Sequence, residues 1–220
     1  MTKAELARLI DHTVLGPKTS RAAVERVCTE AIEHGFCSVC IPPGYTALAK
    51  SLLRNTGVRV CTTIGFPHGQ HKREVKAFEA KLAVAEGADE VDMVADIAAL
   101  KEGDRSRVLA DIRAVREAAP RPVVLKVILE CSLLSDDEKV LGARLAQEAG
   151  ANFVKTSTGF STGGATVEDV ALLRQAVGKA LGVKASGGIR DWGTALRMIE
   201  AGASRIGASK SVQILAGAPE

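Results

Sequence analysis

FVKTSTGF, residues 153–160, places Lys155 directly after a short apolar run and directly before a loop of small hydroxyl residues and glycine. An ammonium group at the end of a buried strand loses hydration, which favours the neutral amine, the nucleophilic form. A lysine whose stem follows the strand while its amine reaches solvent is the alternative explanation. The stretch therefore predicts either a reactive amine or a solvated strand terminus.

Two further lysines occupy equivalent positions in strand-like runs. Lys126 lies within VVLKVIL (residues 123–129), and Lys184 lies within VKAS (residues 183–186). The intervals from 126 to 155 and from 155 to 184 are each 29 residues, close to one strand, one helix and two loops. In a closed parallel barrel, the three side chains come from neighbouring strands and converge. Convergent like charges are expected to lower one another's pKa.

Eight strand-like runs alternate with helical patterns along the 220 residues. The runs are mostly continuous and apolar, as in parallel strands covered on both faces. We predict an α/β fold, a (β/α)₈ TIM barrel that forms a single domain over residues 1–220 with a short leading helix. A doubly wound open sheet is the alternative, although no Gly-x-Gly-x-x-Gly motif follows an early strand. The predicted strands are residues 10–15, 36–41, 58–64, 90–94, 123–129, 153–155, 183–186 and 205–209.

Helix boundaries are marked by capping signals. Ser20, Ser135 and Asp191 each precede a helical pattern and are predicted N-caps, and Ser135 opens a capping box. A helix is predicted from about residue 71 to residue 86, and one long helical region between the fourth and fifth strands.

Composition excludes several classes of function. The net charge is only +3, no basic block is present, and aromatic residues make up 3%, so nucleic acid binding has little support. Lys3, Glu5 and Arg8 are incompatible with an apolar signal peptide, and the longest uncharged run, residues 34–49, is shorter than the roughly 20 residues of a membrane span. We expect a soluble cytoplasmic protein that contacts neither nucleic acid nor membrane.

Cysteine and histidine spacing does not favour a metal site. The five cysteines include one CxxC pair, Cys37 and Cys40, which falls within an apolar strand. Reduced, buried thiols are favoured over a zinc or redox site. His68 and His71 are three residues apart in a loop of glycine and proline, which favours loop structure over metal ligation.

Polar residues within or at the ends of the strands supply the candidate chemistry. Asp92 lies inside an apolar strand, where a charge is costly unless it is paired. A buried ion pair with a lysine is one interpretation. The other is imine chemistry, which needs one amine to attack a carbonyl and acid–base groups to remove water and move a proton. The strand-end residues are Asp11, Cys40, Gly65, Asp92, Lys126, Lys155, Lys184 and Ser209.

Glycine-containing loops follow strands seven and eight, as SGGIR (residues 186–190) and IGAS (residues 206–209). In barrels these loops commonly form a phosphate site from backbone N–H groups. Tight turns are the alternative explanation. A phosphorylated substrate is favoured, with a site predicted at Thr158, Gly159, Gly187, Gly188, Gly207 and Ser209.

Six segments resemble those of the deoxyribose-phosphate aldolase family, in the family's order: DHT (11–13), GFPHG (65–69), EVDMV (90–94), FVKTSTGF (153–160), VKASGGIR (183–190) and RIGAS (205–209). The resemblance spans nearly the whole chain. It implies a class I aldolase without metal or cofactor that reversibly cleaves 2-deoxy-D-ribose 5-phosphate to D-glyceraldehyde 3-phosphate and acetaldehyde, a step of deoxyribonucleotide catabolism. It also implies a homodimer or homotetramer.

The resemblance assigns roles that the spacing alone leaves open among the lysines. It implies that Lys155 forms the Schiff base, that Lys184 promotes the neutral form of that amine, and that Asp92 takes part in proton transfer. Lys126 either orients Asp92 or forms a structural pair.

Asp11, Cys40, Lys210 and the end of the chain are the remaining features of interest. Asp11 either orients substrate hydroxyls or a lysine, or forms a core ion pair, and Cys40 is expected to pack near the site. Lys210 either adds charge near the phosphate or points to solvent. Longer family members end in a tail whose tyrosine reaches the active site, whereas the only tyrosine here is Tyr45, so no such help is expected.

Two other functions fit part of the pattern. One is another phosphosugar barrel enzyme, either transaldolase-like or an isomerase that uses Asp92 and Asp11 as acid and base. The other is a phosphosugar-binding protein without catalysis. Borohydride with acetaldehyde separates them, because an aldolase is expected to be trapped at Lys155 and an isomerase is not.

Overall fold

Eight parallel strands form a closed barrel in the computed structural model, which describes residues 1–219. Each strand pairs with its neighbours in sequence, and the last strand closes on the first. The predicted (β/α)₈ barrel is confirmed; the last residue of the predicted domain, Glu220, lies outside the described residues. The strands are β1 Ile10–Thr13, β2 Ser38–Ile41, β3 Arg59–Ile64, β4 Glu90–Val94, β5 Val124–Ile128, β6 Phe153–Lys155, β7 Gly182–Ser186 and β8 Arg205–Ala208.

Helices surround the barrel and begin where the capping signals predict. The side chains of Ser20, Ser135 and Asp191 each accept a hydrogen bond from a backbone N–H in the first turn, and Ser135 forms a capping box. None of the helices within residues 1–219 has the length and apolar character that crossing a bilayer requires. The helices are α1 Lys3–Ala7, α2 Arg21–His34, α3 Thr46–Leu52, α4 Arg73–Ala85, α5 Ile97–Glu102, α6 Arg105–Ala118, α7 Asp136–Glu148, α8 Val167–Val177, α9 Trp192–Glu200 and α10 Ser211–Ala216, with 3₁₀ turns at Pro43–Tyr45 and Cys131–Leu133.

The predicted long helix between β4 and β5 is wrong in one respect, because it is divided into α5 and α6. Gly103 adopts a left-handed conformation (φ 69°) and ends α5, and the Asp104 side chain accepts the Arg107 N–H at 3.0 Å to begin α6. Helix α4 begins at Arg73 rather than at residue 71.

Strand register positions the charged side chains. Asp92 in β4 is paired with Lys126 in β5, and Lys155 in β6 is paired with Lys184 in β7. Residues that are paired in adjacent parallel strands project to the same face of the sheet. All four are buried, so the barrel interior holds a cluster of charges within its apolar core.

Candidate active site

Asp92 lies at the centre of the buried charges, and the three lysines converge on it. Lys126 Nζ donates to Oδ1 at 2.7 Å, whereas Lys155 Nζ and Lys184 Nζ donate to Oδ2 at 2.9 and 2.7 Å. The Asp92 side chain is fully buried. The 29-residue spacing therefore brings three amines onto one carboxylate.

The pKa values in this cluster are set by opposite charges more than by burial. Burial alone would raise the pKa of Asp92, but Lys126, Lys155 and Lys184 hold it well below the usual range. Burial likewise disfavours the charged forms of Lys126 and Lys184, yet the carboxylates around them raise both pKa values. Lys126 lowers the pKa of Lys184, as expected for like charges, but the carboxylates outweigh this repulsion and the net shift is upward. The carboxylates therefore favour the protonated form of Lys184.

A second layer of charges lies around Asp11. Arg205 Nη1 donates to Asp11 Oδ1 at 2.7 Å and to Glu90 Oε2 at 3.0 Å. Asp11 Oδ2 lies 2.5 Å from Lys184 Nζ, an ion pair without the alignment of a hydrogen bond. Burial opposes ionisation of Asp11, but the surrounding cations, Lys184 foremost, hold its pKa below the usual range. Asp11 is thus part of a buried ion-pair network that includes Lys184 and Arg205.

Sequence reasoning did not single out Glu90 and Arg205. Lys126 Nζ lies 2.5 Å from Glu90 Oε2, so Glu90 joins the second layer to the lysine beside Asp92. The signal that identified Asp92, a charged residue inside or at the edge of a strand, applied equally to both. They appeared only as parts of the family segments.

Two thiols complete the surroundings of Asp92. Cys61 Sγ donates to Asp92 Oδ1 at 3.2 Å and lies 3.4 Å from Lys126 Nζ, and it is paired in register with Cys40. The neighbouring Cys61 thiol lowers the pKa of the Cys40 thiol, whereas burial raises the pKa of Cys61 well above its usual value. All five cysteines are free. Sequence reasoning included Cys40 and missed Cys61.

Metal ligation does not fit this donor set. Within residues 1–219, Cys40, Cys61 and Asp92 are the one group of three metal-ligating side chains whose ligand atoms lie within 4.8 Å of one another. Ammonium groups already occupy both Asp92 oxygens, and a cation there would be repelled by them.

A cavity of about 750 Å³ opens above this cluster, at the carboxyl ends of the strands. Of the three lysines, Lys155 alone lines it; Lys126 and Lys184 lie beneath, with Asp92. Arg190 and Lys210 also line it, so Lys210 combines exposure to solvent with a place at the cavity rim. All the predicted phosphate-site residues line the cavity, namely Thr158, Gly159, Gly187, Gly188, Gly207 and Ser209.

Unpaired backbone N–H groups surround one side of this cavity. Those of Gly159, Gly187, Gly188 and Ser209 have no hydrogen-bond partner among residues 1–219. Gly187 has φ +87°, and a Cβ there would lie 2.9 Å from Gly164 Cα, so a larger residue would not fit. Free N–H groups in glycine-containing loops are the usual donors to a bound anion.

Gly207 leaves room for Lys184. A methyl group at residue 207 would lie 3.0 Å from both Lys184 Cε and Ser186 Cβ. Because two carboxylates hold Lys184 in place, we expect Gly207→Ala to shift the ammonium from Asp92, lowering turnover and reducing the free energy of unfolding by about 1–3 kcal/mol. Denaturant titration and an activity assay measure both effects.

Gly44→Ala is the matched control, since no atom lies within 4 Å of its added methyl group. If the Gly207 and Gly44 variants had equal stability and turnover, displacement of the Lys184 ammonium would affect neither folding nor catalysis.

The chain is similar to known aldolases in sequence and in structure. The family model described as DeoC/LacD family aldolase matches residues 6–218. A curated deoxyribose-phosphate aldolase 1 from Bacillus licheniformis is 56% identical over 217 residues, covering 99% of this chain and 97% of the relative. A deoxyribose-phosphate aldolase from Clostridium perfringens is 54% identical with the same coverage. A solved structure of deoxyribose phosphate aldolase from Aeropyrum pernix, described as a unique tetrameric structure, has a TM-score of 0.90 at 34% identity over 98% of this chain and 91% of that chain.

Proposed function

Because the chain belongs to the DeoC/LacD family of aldolases, we propose that it reversibly cleaves 2-deoxy-D-ribose 5-phosphate through a Schiff base on Lys155. The chain is an aldolase, a lyase of carbon–carbon bonds, as its curated relatives are. One observation carries the proposal: Lys155 is the lysine that both lines the cavity and contacts Asp92.

The charge balance of the cluster supports Lys155 in the reactive role. Its nearly or fully buried side chains comprise four cations and three carboxylates, namely Lys126, Lys155, Lys184, Arg205, Asp11, Glu90 and Asp92. Among these buried groups one positive charge is in excess, and Arg59, which is half exposed, adds a further cation at Glu90. When Lys155 reacts as the neutral amine, no carboxylate is left without a cation.

Schiff-base formation begins when the Lys155 amine attacks the C1 carbonyl of the open-chain sugar. The carbinolamine loses water and forms an iminium ion, which draws electrons from the neighbouring bond. The C3 hydroxyl gives its proton to a water held by Asp92, its oxygen becomes the carbonyl of glyceraldehyde 3-phosphate, and the C2–C3 electrons enter a neutral enamine. Protonation at C2 and hydrolysis release acetaldehyde and restore Lys155.

In this proposal Asp92 carries the proton transfers and Lys184 supports it. Asp92 Oδ2 contacts both Lys155 and Lys184, so one carboxylate oxygen joins the reacting nitrogen to a second ammonium group. With bound water, Asp92 moves protons during loss of the carbinolamine hydroxyl and protonation of the enamine. Lys184 keeps Asp92 ionised and does not itself reach the cavity.

The phosphate group is held at the glycine loops. The free N–H groups of Gly159, Gly187, Gly188 and Ser209 donate to its oxygens, and Arg190 adds positive charge at the rim. This places the aldehyde end of the substrate toward Lys155.

Borohydride reduction in the presence of acetaldehyde tests this function. Mass spectrometry of peptides is expected to find one reduced adduct, on Lys155, and deoxyribose 5-phosphate is expected to release acetaldehyde. An isomerase or a binding protein would give neither result. An adduct on Lys126 or Lys184 would contradict the assignment of the nucleophile.

We also propose that the chain assembles with copies of itself, and that α4 forms the contact. Val75, Phe78 and Leu82 lie on one stripe of α4, and Phe78 is 61% exposed. The tetrameric Aeropyrum pernix structure supports assembly in this family.

Light scattering tests the contact. We expect the wild type to have at least twice the mass of one chain and Phe78→Glu to shift toward the monomer, because the stripe would then bury an unpaired charge. Glu117→Gln, a change of an exposed residue on α6, is the control. A monomeric wild type, or an unchanged mass in Phe78→Glu, would contradict this surface.

The thiols support a proposal about the cellular location. Five free cysteines stay reduced in the cytoplasm, and we propose that the protein works there.

A further inference from the structure

Glu130 adopts an uncommon conformation at the mouth of the barrel. It follows β5 after one further residue and has φ 56° and ψ 62°, the left-handed region that disfavours residues with a side chain. It is 2% exposed, and its carboxylate forms no ion pair with residues 1–219. Backbone strain and a buried carboxylate without a cation both oppose folding, so their coincidence points to a functional constraint.

The Glu130 carboxylate binds a single residue of the loop that follows Lys155. It accepts the Thr158 N–H at 3.2 Å on Oε2 and 3.3 Å on Oε1, and it also accepts the Thr158 hydroxyl. The Thr158 hydroxyl oxygen in turn accepts the Phe160 N–H at 3.1 Å. Cys131 N–H donates to Thr156 O at 2.8 Å beside these bonds. The segment after β5 therefore holds the loop after β6.

This arrangement uses both hydrogen-bond donors of Thr158. Thr158, Gly159 and Phe160 line the cavity, and of these three the Gly159 N–H alone lacks a partner among residues 1–219. Both donors of Thr158 are already bound to the Glu130 carboxylate, so Thr158 does not donate to a phosphate itself. Its contribution to the predicted phosphate site is to hold Gly159 in position.

We propose that Glu130 is a positioning residue that fixes the loop after β6 so that the Gly159 N–H faces the substrate phosphate. This inference rests on the proposed function. A carboxylate suits the task because it accepts two hydrogen bonds from one residue and, being negative, keeps the phosphate from competing for the Thr158 donors. The amide that remains free is then the one offered to the substrate.

Glu130→Gln tests the proposal, because it preserves size and removes the charge. We expect the KM for deoxyribose 5-phosphate to rise roughly 10- to 100-fold, the factor associated with loss of one hydrogen bond to a charged group. The kcat, the borohydride adduct on Lys155 and the kcat/KM for unphosphorylated 2-deoxyribose are expected to stay within about twofold. Glu117→Gln, an exposed glutamate away from the cavity, is the control.

Thr158 variants test the same hydrogen bonds from the other side and remain informative if Glu130→Gln does not fold. Thr158→Val is expected to lose more of the preference for phosphorylated substrate than Thr158→Ser, which keeps both donors. In the double variant with Glu130→Gln, Thr158→Val is expected to add little further loss, because the bond is already weakened.

The outcomes separate this inference from the proposed function. An equal loss on both sugars, or no change on either, would overturn the positioning role of Glu130. A wild type that forms no adduct on Lys155 would instead overturn the Schiff-base function, and that result is obtained before any Glu130 variant is compared.

Discussion

Lys155→Leu is expected to lower aldolase turnover by roughly 10⁴-fold or more and to abolish the borohydride adduct, because it removes the covalent nucleophile. The fold is expected to persist, since Asp92 keeps its contacts with Lys126 and Lys184. Steady-state turnover, peptide mass spectrometry and thermal unfolding measure the three effects together.

Lys179→Leu is the matched control, because Lys179 is exposed after α8 and away from the cavity. It is expected to keep wild-type turnover and one adduct on Lys155. Activity in Lys155→Leu within tenfold of the wild type would show that another amine carries the reaction, and the adduct in that variant would identify it.

Asp92→Asn is expected to have the largest combined effect on activity and stability. It leaves Lys126, Lys155 and Lys184 facing a neutral amide, and breaking a buried ion pair costs about 3–5 kcal/mol. Loss of the acid–base group is expected to lower turnover by about 10²–10⁴-fold. Denaturant unfolding and steady-state kinetics measure the two losses separately, and Asp137→Asn on the exposed start of α7 is the control.

The stability difference between wild type and Asp92→Asn is expected to depend on pH. The pKa of Asp92 is depressed in the folded state, so its contribution is present above its unfolded pKa of about 3.9 and is lost as pH falls through the lower folded value. The pKa of Lys126 and Lys184 is raised, so their contribution is present below about 10.4 and is lost as pH rises through the folded values. The difference is therefore expected to be largest between about pH 5 and pH 10 and to shrink at both extremes. A difference independent of pH would contradict the ion-pair origin.

Lys126→Met separates orientation of Asp92 from simple pairing. Lys126 does not line the cavity, and its ammonium contacts Asp92 and Glu90. Turnover that falls while the variant still unfolds cooperatively supports an orienting role, and unchanged turnover rules it out.

The barrel could be predicted from local patterns because each strand–helix unit carries its own signals. One or two strand–helix units are enough to recognise the continuous apolar strands, the N-cap residues and the 29-residue lysine spacing. The division at Gly103 was missed because a single glycine within a helical pattern does not distinguish an interruption from a tolerated residue. Local signals therefore predicted which helices and strands form and in what order. They predicted less well where each helix and strand begins and ends.

Only some of the residues in the site could be predicted from the sequence. Asp92, Lys155 and Lys184 were identified, but Glu90, Arg205 and Cys61 were not singled out, and Glu130 was missed. Glu130 lies 28 residues from Thr158, and only the closed barrel brings the end of β5 against the loop after β6. No spacing rule in the sequence connects those two positions.

The amino-acid order by itself determined that eight parallel strands form and that three lysines and an aspartate project from four of them, because strand periodicity and unit length are local properties. Tertiary structure alone decided which lysine lines the cavity and which ones are held in ion pairs beneath it. Burial and the distances between charges depend on how all eight strands close, and these quantities set the pKa values of Asp92 and Lys184.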